Sequence, residues 1–134
     1  MEVLVIDGQG GKLGRELVEQ ITKAHPEVTL TAVGTNSLAT ESMMKGGARR
    51  VATGENAVIV NSRRADVILG PIGIVLADAL LGEISPAMAA AVGSSRAVKI
   101  LIPMNRCETL VAGVPGLSAS ALIADALQKL EAVL

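Results

Sequence analysis

Hydrophobic residues fall along this chain in two alternating rhythms. Short apolar runs suited to strands of a buried parallel sheet are Val3 to Ile6, Val28 to Val33 and Val98 to Ile102, with Asp66 to Leu69 opening on an acid. Between them, apolar positions recur every three or four residues, the mark of one helical face. Leu13, Leu17 and Ile21 form the first such face, ending near His25-Pro26. Ser37 can cap a second helix that runs through Met43 and Met44 to Gly46-Gly47. Arg50 to Thr53 is a weaker third strand. Glu55 to Arg64 reads as a helix, although Val58-Ile59-Val60 alone would suit a strand, and Ile74 to Leu81 fits neither rhythm. Ser85-Pro86 pairs a cap with a first-turn proline and Gly93 supplies the matching stop. Ser118 caps a last helix striped by Leu122, Ile123, Leu127, Leu130 and Leu134.

Thr109 to Val114 reads as a sixth strand. The segment before it, Pro103 to Glu108, is too short for a parallel crossover, which needs about a dozen residues, so this strand is expected to run antiparallel. The alternation predicts an α/β fold: a three-layer, doubly wound Rossmann-like sheet, mostly parallel, of order 3-2-1-4-5-6 with an antiparallel last strand. Its crossovers should be right-handed, and its ligand crevice should lie outside the carboxyl ends of strands 1 and 4. Residues 1–134 are read as one nucleotide-binding domain, without repeats or a linker.

Composition narrows the function. Hydrophobic residues make up 50% of the chain and charged ones 19%, which is the composition of a folding domain. There is no Phe, Tyr or Trp. Aromatic platforms for single-stranded nucleic acid and aromatic cages for cations are therefore excluded. A net charge of -1 offers phosphate backbones no general attraction, so nucleic acid is not an expected partner. No apolar run approaches the roughly 20 residues that span a bilayer, and no membrane partner is expected. The opening Met1-Glu2-Val3-Leu4-Val5-Ile6 has no basic flank and reads as a strand rather than a signal peptide. The single cysteine, Cys107, suits a reducing compartment, and a cytoplasmic location is expected.

The densest motif is Asp7-Gly8-Gln9-Gly10-Gly11-Lys12-Leu13-Gly14-Arg15, at the first strand-to-helix junction. Free backbone N–H groups and the positive end of the helix dipole favour an anion there. Read as G-x-x-G-x-x-G, Gly8 permits the turn, Gly11 lets a pyrophosphate approach, and Gly14 lets the helix pack close on the sheet. The stricter G-x-G-x-x-G spacing fails, because Leu13 stands where the third glycine would be. A P-loop is disfavoured, since Leu13 replaces the magnesium-binding Ser or Thr and Ile6 the first glycine. The blander alternative is that the glycines only make a turn. Asp7 complicates either case: a carboxylate beside a pyrophosphate repels it unless turned away, protonated or metal-bound, and it can also serve as a turn cap.

The run Val5-Ile6-Asp7-Gly8-Gln9-Gly10-Gly11-Lys12-Leu13-Gly14-Arg15-Glu16-Leu17 resembles the openings of dihydrodipicolinate reductases and of atypical short-chain dehydrogenases. Over its full length the chain resembles a family of short Rossmann-like prokaryotic proteins, a domain of unknown function whose members begin with a similar Ile-Asp-Gly-Gln-Gly-Gly stretch. The resemblance implies a fold. The two enzyme activities are not carried over, because the dehydrogenase base is a Tyr that this chain lacks and the reductases' substrate-binding domain has no counterpart here.

These residues lead to the expectation of a binding or sensing module for a dinucleotide, NADP or NAD. Gly34-Thr35-Asn36-Ser37 has no acid to hold an adenosine ribose, and Lys45, Arg49 and Arg50 lie near in sequence, which leans toward NADP. Gly8, Gln9, Gly10, Gly11, Lys12, Leu13, Gly14, Thr35 and Asn36 are the expected cofactor-binding residues, with Gly70 and Pro71 after the fourth strand as further contacts. The alternatives are an NAD(P)-dependent oxidoreductase completed by a homo-oligomer, with Asn105, Arg106 or Cys107 contributing, and a structural protein without a ligand. No catalytic residue is assigned and no metal spacing is present. His25 reads as a helix-end group on the far side of the sheet, and Asp66, Asp78 and Glu83 are too scattered for a carboxylate pair. Apolar surface on the last helix and at Met43-Met44 suggests a homodimer.

Overall fold

A computed structural model describes residues 1–104 and 109–134. Five parallel strands, β1 (Glu2–Asp7), β2 (Thr29–Gly34), β3 (Arg50–Thr53), β4 (Val67–Pro71) and β5 (Val98–Ile102), form one sheet in the order β3-β2-β1-β4-β5. The register pairs Asp7 with Gly34 on one side of β1 and Val5 with Leu69 on the other. The central strands are apolar on both faces because both faces are covered, which is why they read as unbroken runs.

Helices α1 (Lys12–Ala24), α2 (Ser37–Lys45) and α5 (Ala119–Val133) cover one face, packing Leu17, Ile21, Met43 and Leu130 onto Val3, Val5 and Leu69. Helices α3 (Glu55–Arg64) and α4 (Pro86–Gly93), with a 3-10 turn over Ile72–Val75, cover the other, packing Val58, Met88 and Val92 against Leu4, Ile6 and Ile68. Leu17, Val18 and Ile21 are each fully buried, and a side chain of this size contributes about 1.5–3 kcal/mol by leaving water.

The parallel part of the expected order is present, and the sixth strand is not found among the described residues. Within Thr109 to Val114 the Val114 N–H turns back onto the Val111 carbonyl, with Gly113 at a φ of +81 between them. That left-handed residue bends the chain where a strand would need it extended. The cap of α2 is also one residue earlier than Ser37: the Asn36 side-chain oxygen accepts from Ala39 N–H at 2.9 Å. Ile74 to Leu81 fits no periodicity because the 3-10 turn runs into an irregular loop in which Asp78, Leu80 and Leu81 all have positive φ. No helix among the described residues is long and apolar enough to cross a membrane.

Candidate functional site

The loop from β1 to α1 crosses the carboxyl edge of the sheet with most of its backbone donors already used. The buried Asp7 carboxylate accepts from Gly8 N–H at 2.8 Å and from Gly14 N–H at 2.7 Å, so one side chain ties both ends of the turn together. Glu83 reaches over from the irregular loop and accepts from Gln9 N–H at 2.8 Å. The same Glu83 oxygen accepts from the Thr35 hydroxyl at 2.5 Å and the Asn36 amide at 2.9 Å, both at the end of β2.

The two carboxylates titrate in opposite directions. Burial raises Asp7 above its ordinary 3.8, aided by the charge of Glu83 and only partly offset by the Gly14 and Gly8 N–H groups. Burial also pushes Glu83 up, but its donors, Thr35, Gln9 and Asn36, outweigh that and leave it below its ordinary 4.5. The acids that seemed scattered in sequence thus include one, Glu83, that faces Asp7 across the turn.

The glycines have mostly internal duties. A Cβ on Gly11 would stand 2.7 Å from the Ala39 backbone of α2, and one on Gly14 would stand 2.6 Å from Met43 Sδ. One on Gly8 would meet Thr35 Oγ1 at 2.6 Å and Glu83 Oε1 at 2.9 Å. The approach assigned to a pyrophosphate at Gly11 is therefore filled by α2. Gly10 alone of the four has open space beside it.

On its other flank the turn opens into a cavity of about 470 Å³ at the carboxyl end of β1. Gly8 to Leu13 form one wall with Glu16, and Met104, Ala119, Ser120 and Ile123 form the other. The first turns of α1 and α5 both face this space. Among the described residues the N–H groups of Lys12 and Leu13, in the first turn of α1, and of Gly10, just before its cap, meet no acceptor; the first turn of a helix leaves such groups free unless a ligand or water supplies one.

The structure thus gathers Gly8, Gln9, Gly10, Gly11, Lys12 and Leu13 at the cavity and buries Gly14 behind them. Thr35 and Asn36 lie on the opposite flank of the turn, engaged by Glu83. Gly70 and Pro71 are the last residues of β4 and are buried; a Cβ on Gly70 would stand 2.4 Å from the Ile6 carbonyl oxygen. Lys45 and Arg50 pair with Glu41 and Glu2. Arg50 opens β3 beside Thr31, at the end of the sheet away from Thr35, so it has no access to a ribose held there. His25 caps α1 at that same far end, 3.5 Å from Glu27 and 3.8 Å from Glu131. Asn105, Arg106, Cys107 and Glu108 lie outside the described residues. Among the described residues no three His, Cys, Asp or Glu side chains cluster to hold a metal ion.

The sequence placed none of Met104, Ala119, Ser120 and Ile123 at a site; Ile123 was read only as part of the last helix's apolar stripe. The Ser118 cap was the available signal, since a helix that follows the last strand starts at the carboxyl edge of the sheet. Glu83 carried no signal, being 74 residues from Gln9.

The family model described as Domain of unknown function (DUF3842) matches residues 2–134. The chain belongs to that family. No functionally curated protein matches the sequence. Among solved structures, the DUF3842 chain is similar to a dodecameric FMN-dependent UbiX-like decarboxylase from Escherichia coli O157:H7, at 14% identity and a TM-score of 0.52. The match covers 98% of this chain and 94% of that one, and it establishes a shared α/β fold.

The NADP or NAD expectation, as binding module or as oxidoreductase, is corrected here. The fold neighbour is FMN-dependent, so the fold gives no support to a nicotinamide dinucleotide. The local geometry agrees: Asp7 and Glu83 hold three of the turn's N–H groups, and α2 fills the pyrophosphate approach at Gly11.

Proposed function

We propose that this protein binds a ligand carrying a single terminal phosphate, with flavin mononucleotide as the first candidate, in the cavity between the amino-terminal turns of α1 and α5. The observation that carries the reading is the set of unengaged N–H groups at Gly10, Lys12 and Leu13, all of which line the cavity. With Lys12 on the same cavity wall they offer one anion seat, not the two a pyrophosphate needs. Leu13, Met104 and Ile123 supply an apolar wall suited to a flat ring system. The fold shared with an FMN-dependent protein supports the choice of ligand within that class.

The test is fluorescence titration with FMN and with riboflavin, which has the same ring and no phosphate. FMN should bind and riboflavin should bind at least tenfold more weakly, with Lys12→Glu removing the difference. Equal affinity for the two, or no binding of FMN, overturns the reading.

A further inference from the structure

Helix α4 is a surface helix without a polar face. Its sequence, Pro86-Ala87-Met88-Ala89-Ala90-Ala91-Val92-Gly93, contains no charged residue. Met88, Ala89 and Val92 enter the core, while Ala87 and Ala90 are exposed and Ala91 is half-buried. With Ser94 they recur at the helical spacing that makes one outward stripe. A helix apolar on every side is ordinarily covered on every side.

This stripe borders a groove of about 510 Å³ shared with α3, whose Ile59, Ser62 and Arg63 complete its walls. Ser62 is 1% exposed, and its hydroxyl has no hydrogen-bond partner among the described residues. A buried hydroxyl left in that state is costly, and Ser62 contributes to the groove's wall with its hydroxyl closed off from solvent.

Charge along the groove runs in one direction. The Ser85 hydroxyl donates to Glu55 at 2.5 Å, which joins the amino ends of α3 and α4. The Ser95 hydroxyl donates to the Ser62 carbonyl at 2.7 Å, which joins their carboxyl ends. The two helices therefore run parallel, with Glu55 in the first turn of α3, beyond the groove's amino end, and Arg63 and Arg96 in its wall toward the carboxyl end.

We infer that this face is the contact between two copies of the chain, packed about a twofold axis with their α4 helices antiparallel. Antiparallel packing sets Glu55 of each copy against the arginine end of the other and opposes the helix dipoles. A parallel arrangement would stack arginine on arginine. Small side chains on both copies allow the helices close approach, and a twofold contact needs just such a self-complementary surface. This inference does not depend on the phosphate site, which lies on the opposite face of the sheet.

Sedimentation equilibrium on the full chain tests it. The wild-type protein should have twice the 13.7 kDa chain mass. Ala90→Glu places a charge in the centre of the stripe, where it meets no core residue, and should halve the mass with an unchanged circular dichroism spectrum. Arg63→Glu should weaken association at least tenfold, and adding Glu55→Arg to it should restore the dimer. A monomeric wild type overturns the inference. So does a dimer that survives Ala90→Glu, which would move the contact to α5 or Met44.

Discussion

The Asp7 carboxylate accepts a hydrogen bond from Gly14 N–H, seven residues along the chain, at 2.7 Å, and with its other oxygen holds Gly8 N–H. A buried acid that serves two backbone donors is a brace for the turn and, equally, an obstacle to a second anion. Asp7→Asn leaves one acceptor for two donors, because the amide NH2 must face one of them. The variant should lose about 1–3 kcal/mol of stability. The folded-state pKa of Asp7 lies above its ordinary 3.8, so the folded protein binds the extra proton and wild-type stability declines as pH rises from 3.8 through the folded value. The variant does not titrate there, and its deficit should be largest at low pH and shrink above that window. Denaturant unfolding across pH 3 to 8 measures it, and a deficit that grows with pH would contradict the assignment.

Glu83 should show the reverse dependence. Its folded-state pKa lies below the ordinary 4.5, so its stabilising contribution is complete above 4.5 and is lost as pH falls through the folded value. Glu83→Gln keeps an acceptor for Gln9, Thr35 and Asn36 but not the charge that strengthens those bonds. We expect a deficit of about 1 kcal/mol at neutral pH that disappears in acid. The same unfolding series in which Asp7→Asn converges upward with pH should show Glu83→Gln diverging.

The loop that delivers Glu83 carries a local strain that can be relieved. Leu81 has a φ of +56 and is 97% exposed, so its side chain gains nothing from packing to offset the left-handed backbone. An L side chain there costs roughly 1–2 kcal/mol, and asparagine tolerates the conformation far better. Leu81→Asn should raise the melting temperature while leaving phosphate-ligand affinity unchanged. A lower melting temperature would mean that Leu81 is covered in solution.

The strands and helices were legible where one face or both faces are buried, because burial imposes the period. α3 runs over Glu55–Arg64 as its pattern indicates, and β3 over Arg50–Thr53. Thr109 to Val114 misled because its apolar, β-branched composition matches a strand while Gly113 sets the backbone otherwise. The glycine turn was legible as the junction of β1 and α1, but the side chains that meet it were not. Glu83 meets Gln9 and Thr35 only through a loop of irregular dihedrals, and no periodicity records such a meeting. Gly11 was read as space for a ligand when the space belongs to Ala39, a distinction that depends on how closely α2 packs.

That distinction yields the sharpest contrast among the glycines. Gly10 has no heavy atom within 4 Å of a built Cβ and a φ outside the left-handed region, so Gly10→Ala should change stability by no more than about 0.5 kcal/mol. Gly11 has a φ of +72 and the Ala39 backbone at 2.7 Å, which cannot move aside as a flexible side chain can. Gly11→Ala combines left-handed strain with displacement of α2 and should cost at least about 2 kcal/mol. Ligand binding separates the roles further. Gly10 lines the cavity between α1 and α5, so Gly10→Ala, although stable, places a methyl beside the proposed phosphate seat and should weaken FMN while sparing riboflavin. If instead both variants unfold equally, the turn is not packed against α2 as described; if Gly10→Ala leaves FMN affinity intact, the phosphate does not sit at this backbone.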